Sequence, residues 1–273
     1  MSFACFVPAA CGGGDEPQVT AEIQARLAAH AEPRTWEDLD PAAPGTRLRD
    51  PRSGVIFLRV PAGEFVMGGT ESDEEKPPHT VTISRSFLLA ETELTVAQWR
   101  RYVEAFAGDP KVPVPAGDAA LPMPVSWDDA QRCCERFGYR LPSEAEWERA
   151  CRGGLEPGQG PWLEPRTMDA HAWFNLNAGN GSKPVRTRTP NAYGLFDMLG
   201  NLSEWCADWF FYTGYQGLPS PCVDPRGPQQ GVLRVLRGGS WFTVPGPKPW
   251  NRGAAPPGER TAFYGCRPAR NLE

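Results

Sequence analysis

Glycine and proline interrupt this chain throughout its length. The 273 residues include 29 glycines and 30 prolines. The same chain contains ten tryptophans, which are spread from end to end, whereas disordered chains have few aromatic residues. Glycine and proline therefore shape ordered loops here. We predict a loop-rich fold with modest regular secondary structure.

The charge balance excludes two classes of partner. The formal net charge is -5, and the lysines and arginines are scattered. Because nucleic-acid and anionic-membrane surfaces need clustered basic side chains, we expect neither partner. No segment approaches the roughly 18 apolar residues of a membrane span. The apolar fraction of 40% is enough for a real core, and we expect a monomer.

The first residues resemble the end of a bacterial lipoprotein signal. Residues 1–14 are apolar and rich in small residues, and Cys11 precedes a glycine tract. No basic residue precedes the apolar part, and the segment is shorter than a full signal; a start codon assigned too late would explain both departures. Two hypotheses stay open: a lipid anchor at Cys11 in the cell envelope or periplasm, and a frayed terminus of a cytoplasmic protein.

Composition divides the chain into three segments. Residues 1–14 are the signal remnant, and residues 15–50 are polar and proline-rich with one helical patch. We interpret residues 15–50 as a linker or a lid. Residues 51–273 form the folded domain. No repeat of 20 to 50 residues is present.

Alternating apolar residues predict several short strands. "VIFLRVPAGEFVMGG" predicts two strands around a turn at 61–63, and "HTVTISRSFLLAETELT" predicts one or two more. Beyond Gly154 we predict mostly loops with brief strands. "RVLRGGSW" is the best of these, and "FYGCRPAR" is a terminal one.

Three helices are predicted from their end signals. Each begins with Ser or Thr, followed three residues later by a side chain that can bond back to the helix start. The second and third end at glycine. The pairs are Thr95 with Gln98, Ser126 with Asp129 and Ser143 with Glu146, and the glycines are Gly138 and Gly153.

Four stretches, in this order and spacing, resemble the formylglycine-generating enzyme family, also called the sulfatase-modifying factor domain. They are "VPAGEFVMGG", "PVSWDDAQRCCERFGYRLPSEAEWERACRGG", "NAYGLFDMLGNLSEWCADW" and "RVLRGGSW...GCRPAR". The resemblance covers about residues 55–271. It implies a single α+β domain, a variant of the C-type-lectin-like fold with little regular structure. It also implies kinship with sulfoxide synthases of ergothioneine biosynthesis, a pyoverdine-maturation enzyme and lectin-like binding proteins.

The stretch 191–211 places acidic groups among aromatic ones, and a lone buried carboxylate costs several kcal/mol. The resemblance implies a structural calcium ion in this stretch. Its ligands would be the Asp197 and Glu204 carboxylates and the Gly200 and Leu202 carbonyls. Calcium takes six to eight hard oxygen ligands, so this donor set is chemically sound.

An alternative stays open for the same carboxylates. They could cap turns or pair with Arg186 or Arg188 instead of binding a metal. We interpret Asn201 as a turn residue and not as a ligand.

The family's oxidative chemistry requires two cysteines after the Gly-Gly-Ser turn, which hold copper(I) as thiolates. The matching positions here are Thr243 and Lys248, and no cysteine lies between Cys222 and Cys266. We therefore expect no copper. We expect no facial-triad iron site either, because the three histidines are scattered.

The resemblance places a substrate pocket at Ser240, Trp241, Trp250 and Arg252. Aromatic residues with an arginine suit a peptide or a sugar; the alternative is a core cluster with a surface arginine. No histidine or carboxylate in this stretch marks Ser240 as a nucleophile, so we interpret it as a turn residue.

The eight cysteines form no CxxC pair, so no structural zinc site is indicated. Buried free thiols suit a cytoplasmic protein and disulfides an exported one. In some relatives the residue at Cys151 is disulfide-bonded, and its partner would fall at Pro268. Cys266 lies two residues earlier on the same strand face, which predicts a Cys151–Cys266 disulfide if the protein is exported.

Three functions compete at this point. The first is a binding or scaffold module for peptide or glycan, which the missing thiolate pair favours. The second is an O2-dependent oxidoreductase of the same family that acts on a peptide or small molecule without copper. The third is a true formylglycine generator that uses other cysteines. The residues alone leave catalysis undecided.

Overall fold

The structure is a computed structural model that describes residues 34–35, 47–105, 115, 117–163 and 165–272. The predicted signal remnant with its anchor at Cys11, and the helical patch of the predicted linker, lie outside the described residues. Within the described ranges, none of the helices has both the length and the apolar composition needed to cross a bilayer.

The three predicted helices are confirmed, together with their ends. They are α1 (Val96–Ala105), α2 (Trp127–Phe137) and α3 (Glu144–Arg152), and a short α4 (Pro165–Met168) follows. The Ser126 and Ser143 hydroxyls each accept a hydrogen bond from a backbone N–H of the first turn, at 3.2 Å. Gly138 and Gly153 close α2 and α3 in the left-handed conformation, with φ of 77° and 61°, which a residue with a side chain rarely adopts.

Twelve short strands are described. In chain order they are β1 (Arg34–Thr35), β2 (Arg47–Arg49), β3 (Ile56–Val60), β4 (Gly63–Met67), β5 (His79–Ile83), β6 (Phe87–Ala90), β7 (Ser203–Trp209), β8 (Cys222–Val223), β9 (Arg234–Arg237), β10 (Arg252–Ala255), β11 (Tyr264–Gly265) and β12 (Ala269–Asn271). The strands predicted on each side of the 61–63 turn are β3 and β4, and the strand predicted over "RVLRGGSW" is β9. The single terminal strand predicted over "FYGCRPAR" is divided into β11 and β12, which belong to different sheets.

The strands form three small sheets. One has the order β1-β2-β3-β6-β12, the second β10-β9-β7-β11, and the third β4-β5-β8. Although β3 and β4 are neighbours in sequence, they belong to different sheets. Because β1 and β2 precede residue 51, part of the predicted linker contributes to the first sheet.

The central strands β7 and β9 are buried on both faces. Successive strand residues point to opposite sides, and here the two sides face two apolar clusters. Trp205 and Leu236 belong to the cluster around α1 and α2, whereas Cys206 and Val235 belong to the cluster around α3. The sheet therefore holds the 197–204 loop and the "RGGSW" turn between two packed layers.

Candidate functional site

The loop before β7 has an unusual backbone. Asp197 and Asn201 have φ of 54° without being glycine, and Gly200 has φ of 79°. At Gly200 a Cβ atom would lie 2.1 Å from the Trp173 carbonyl oxygen, so only glycine fits there. Left-handed residues of this kind persist where the surroundings fix the backbone, which is common at ligand sites.

Glu204 is neutralised by an arginine from the far end of the chain. The Arg267 Nη2 atom lies 2.7 Å from Glu204 Oε1, and Arg267 Nε lies 3.0 Å from both carboxylate oxygens. The indole of Trp147 donates to Oε2 at 2.7 Å. Glu204 is thus ion-paired with Arg267, and not with Arg186 or Arg188.

Asp197 has no such partner. Its Oδ2 atom accepts a hydrogen bond from the Arg186 backbone N–H at 2.8 Å. Its Oδ1 atom is buried and has no hydrogen-bond partner among the described residues. Burial raises the pKa of the Asp197 carboxyl to about 6, because the charged form is poorly solvated there.

Glu93 is a third buried carboxyl group at this site, and no pattern in the sequence predicted it. It accepts hydrogen bonds from the Leu202 backbone N–H and from Asn201 Nδ2, both at 2.8 Å. Burial, reinforced by the Asp197 and Glu204 carboxylates, raises the pKa of the Glu93 carboxyl well above its usual range. The only signal in the sequence is a glutamate inside the apolar run "FLLAETELT".

We call Glu93, Asp197, Glu204 and Arg267 the acidic cluster. Three carboxyl groups share the Arg267 guanidinium, and Arg188 acts more weakly on Asp197, so the cluster is short of positive charge when all its members are ionised. Protons or a cation can supply that charge. Asn201 acts as predicted, as a structural residue of the turn, because its amide oxygen accepts a hydrogen bond from the Lys183 backbone N–H at 2.8 Å.

The acidic cluster fits a hard cation at Asp197 best. Asp197 Oδ1 is the orphaned oxygen, whereas both oxygens of Glu204 already accept hydrogen bonds. No group of three or more His, Cys, Asp or Glu side chains among the described residues is arranged to hold a metal. A calcium ion here would therefore depend on backbone carbonyls, such as those of Gly200 and Leu202, for much of its coordination.

A second group of buried charges lies on α3. We call it the balanced cluster, because each of its two glutamates faces at least one guanidinium. Arg252 binds Glu144 through two hydrogen bonds of 2.6 and 2.9 Å. Burial opposes ionisation of Glu144, but the Arg252 and Arg237 guanidiniums outweigh it and hold the pKa of Glu144 below its usual value. The members are Glu144, Glu148, Arg152, Arg237 and Arg252.

The four predicted pocket residues separate into two pairs. Ser240 and Trp241 lie in the "RGGSW" turn, where the Trp241 indole donates to the Ala262 carbonyl at 3.1 Å. Arg252 belongs to the balanced cluster, and Trp250 packs with its ring 5.5 Å from the Arg152 guanidinium. Among the described residues no hydrogen bond or ring contact joins the two pairs. The Arg252 side chain is only 3% exposed, so Arg252 is not the surface arginine of the alternative.

An apolar patch surrounds the "RGGSW" turn. Phe242 and Val244 are 59% and 66% exposed, and Leu176 is 71% exposed. The Trp241 and Phe263 rings pack behind them, with centroids 4.9 Å apart. Asn175 donates to the Thr243 carbonyl at 3.4 Å, which brings Leu176 close to the turn. We call these five apolar side chains the turn patch.

The predicted Cys151–Cys266 disulfide is corrected by the structure. Both thiols are free and buried. Cys151 lies in the α3 apolar cluster, whereas Cys266 lies in the other, with Cys133 and Cys134. Cys266 precedes β12 instead of sharing a strand with Pro268, so the same-face argument did not apply.

Residues 45–272 match the Sulfatase-modifying factor enzyme 1-like domain. The chain belongs to this family. It is 33% identical to the formylglycine-generating enzyme of Streptomyces coelicolor over 264 residues, which cover 74% of this chain and 83% of that protein. The fold is the expected α+β, formylglycine-generating-enzyme-like variant of the C-type-lectin-like fold.

Solved structures agree with this assignment. PvdO from Pseudomonas aeruginosa superposes with a TM-score of 0.71 at 27% identity, over 84% of this chain and 99% of that one. Variable protein 1 of Treponema denticola gives a TM-score of 0.70 at 26% identity, over 80% of this chain and 95% of that one.

Thr243 and Lys248 lie at the positions predicted to match the family's copper-binding cysteines, and both side chains contact other residues of the chain. The Thr243 hydroxyl accepts a hydrogen bond from the Ser240 backbone N–H at 2.8 Å, and Ser240 Oγ accepts one from the Phe242 N–H at 3.3 Å. The Lys248 ammonium pairs with Glu71. These residues offer no soft ligand, so they do not fit copper(I), and Ser240 serves the turn.

Proposed function

We propose that this member of the family binds a peptide at the turn patch and does not carry out copper-dependent chemistry there. The observation that carries the proposal is the pair of residues at the copper positions. Thr243 closes the turn through Ser240, and Lys248 is held in an ion pair with Glu71. A fixed ammonium in this place repels a metal cation, and a hydroxyl is a poor ligand for a soft one.

The turn patch supports a binding role. Large apolar side chains that are exposed together commonly mark an interaction site. Phe242, Val244 and Leu176 are each more than half exposed, and the adjoining aromatic rings give the patch a stiff base. Such a surface suits the apolar side chains of a peptide.

A peptide is favoured over a glycan by the chemistry of the patch. Sugars need flat aromatic faces together with side chains that bond hydroxyl groups. Of the three most exposed members only Phe242 is aromatic, whereas Val244 and Leu176 are aliphatic, and the Trp241 indole N–H is already bonded to the Ala262 carbonyl. Glycan binding is therefore the second candidate.

Calcium belongs to the same proposal as a structural ion. The Asp197 carboxylate would anchor it, with the Gly200 and Leu202 carbonyls and the Glu204 carboxylate around it. The buried, unpartnered Asp197 Oδ1 atom supports this placement. The ion would supply positive charge to the acidic cluster and hold the loop that leads into β7.

The experiment screens the purified full chain against a displayed random peptide library and a glycan array. Any selected peptide is then measured by calorimetry with Val244→Ser and with the control Val232→Ser. Val244 lies in the turn patch and is 66% exposed; Val232 lies elsewhere and is 77% exposed. We expect Val244→Ser to weaken peptide binding about tenfold, which is roughly 1.4 kcal/mol, and Val232→Ser to leave it unchanged.

Three outcomes would overturn the proposal. If the chain binds glycans and no peptides, the second candidate, glycan binding, replaces the proposal. Oxygen uptake with a cysteine-containing sulfatase peptide would establish an oxidoreductase, and stoichiometric copper in the active protein would show that the proposed absence of copper chemistry is wrong.

A further inference from the structure

A cavity of about 400 Å³ opens beside the N-terminal end of α3. Its walls come from α3, β5, the end of β7 and the loops over residues 211–228. No residue of the turn patch lines it. Its volume lies within the range of about 300–1,000 Å³ that is typical of small-molecule sites.

One side of the cavity is apolar. Phe211 and Leu218 are 54% and 46% exposed at its mouth, and Met67 is buried at 2%. Trp209 and Pro225 complete this wall. An apolar or aromatic body of a ligand would gain favourable burial against these side chains.

His79 contributes a buried acceptor that has no hydrogen-bond partner among the described residues. The residue lines the cavity and is only 7% exposed. Its Nδ1 atom lies 3.1 Å from the Pro77 carbonyl oxygen. Since a carbonyl only accepts, Nδ1 carries the proton and Nε2 of the neutral ring is an acceptor. This Nε2 atom is buried and has no hydrogen-bond partner in the described ranges.

Asp208 contributes a second acceptor. It lines the same cavity and is 4% exposed. Its Oδ2 atom accepts a hydrogen bond from the Glu144 backbone N–H at 2.9 Å, and no described residue donates to Oδ1. The neighbouring Glu144 side chain is already paired with Arg252. Asp208 is therefore the buried carboxylate of the cavity that lacks an ion-pair partner among the described side chains.

We propose that this cavity binds a small organic amine with an aromatic or aliphatic body. The amine would donate hydrogen bonds to Asp208 and to His79 Nε2, and the body would lie against the apolar wall. The two buried polar positions without a donor are both acceptors, so they call for donors on the ligand. The Arg226 guanidinium also lines the cavity, but it is exposed to solvent. An ammonium group supplies three donors and the charge that complements Asp208.

The test uses 2-phenylethylamine as the probe and 3-phenylpropionate as an anionic compound of similar shape. Binding to the full chain is followed by protein-observed NMR at pH 8, because burial raises the pKa of Asp208 to about 7 and the carboxylate must be ionised. We expect the amine to bind in the millimolar range or tighter and the carboxylate at least tenfold more weakly. Equal binding of the two probes, or no binding of the amine, would overturn the proposal.

Three variants locate the binding. Leu218→Trp fills the cavity mouth, and Leu163→Trp is its control, since both leucines are 46% exposed and only Leu218 lines the cavity. Asp208→Asn keeps an acceptor for the Glu144 N–H but removes the charge. We expect Leu218→Trp to abolish binding, Asp208→Asn to weaken it about tenfold and Leu163→Trp to leave it unchanged. Should Leu218→Trp not fold, Asp208→Asn decides, and unaltered binding in that variant would contradict the proposal.

Discussion

The acidic cluster and the balanced cluster bury similar groups but differ in charge. In the balanced cluster three guanidiniums face two glutamates. In the acidic cluster one guanidinium faces three carboxyl groups. The pKa of Glu144 is accordingly below its usual value, whereas the pKa values of Glu93 and Asp197 are above theirs.

This difference separates a charge network that is complete within the chain from a site that needs additional positive charge. Burial opposes ionisation in both places. Where enough arginines are present, the chain itself completes the network and α3 is joined to β9 and β10. Where too few arginines are present, the folded protein must take up protons or a cation. We therefore place the calcium proposal at the acidic cluster and assign no ligand to the balanced one.

The largest loss of unfolding free energy is expected when an ion pair of the balanced cluster is broken. Glu148→Gln removes the carboxylate that binds both Arg152 and Arg237 and leaves two buried guanidiniums without it. Breaking a buried ion pair from one side costs about 3–5 kcal/mol. Guanidinium-induced unfolding should show a loss of this size, and a loss below about 1 kcal/mol would show that the network does not hold α3.

An acid-to-amide substitution in the acidic cluster should not lower the unfolding free energy in the same way. Asp197→Asn removes a charge, keeps an acceptor for the Arg186 N–H and suits the left-handed backbone, which asparagine tolerates. In chelator we expect its unfolding free energy to equal or exceed that of the wild type. At calcium 100 times the dissociation constant, the wild type alone should gain about 2.7 kcal/mol. An equal gain in the variant would place the calcium elsewhere.

The pH dependence should sharpen the comparison further. Burial raises the pKa of Asp197 to about 6 and of Asp208 to about 7, both above their unfolded value of 3.8. Raised carboxyl pKa values stabilise the fold at low pH, and this contribution is lost as pH rises through the folded pKa. In chelator the wild type should therefore be more stable at pH 5.5 than at pH 7.5.

Two variants assign this pH dependence to its groups. Asp197→Asn and Asp208→Asn should each reduce the stability gained on acidification, measured as the shift in thermal midpoint. If neither variant changes that shift, the two carboxyl groups do not control the pH dependence of folding.

The smallest change in unfolding free energy is expected when an exposed ion pair is removed. Lys76 contacts Asp73 at 3.1 Å, and the Asp73 side chain is 87% exposed. Surface pairs contribute about 0–1 kcal/mol, so Lys76→Met should change the unfolding free energy by about 0.5 kcal/mol or less. A loss comparable to that of Glu148→Gln would show that burial is not what distinguishes the balanced cluster.

Local signals in the sequence were enough to predict α1, α2 and α3 and the strands β3 to β6 and β9. Ser126, Ser143 and the closing glycines act through contacts within a few residues. The family motifs supplied the fold, because their order along the chain is specific. The strand β7 was missed because "SEWCADW" is buried on both faces and so lacks the simple alternation of a half-exposed strand.

The partners of the buried carboxyl groups could not be predicted from local signals. Glu204 lies 63 residues from Arg267, and Glu93 lies 108 residues from Asn201. These contacts depend on how three sheets pack, which no local pattern encodes. The same reason explains the Cys151–Cys266 prediction, since the two thiols lie in different apolar clusters.

The central claim is that a divalent cation completes the acidic cluster. Native mass spectrometry of the wild type and of Asp197→Asn, each stripped with chelator and re-equilibrated with calcium at pH 7.5, tests it most directly. We predict one bound calcium in the wild type and none in Asp197→Asn. Calcium-free wild-type protein, or equal calcium in both proteins, would contradict the account.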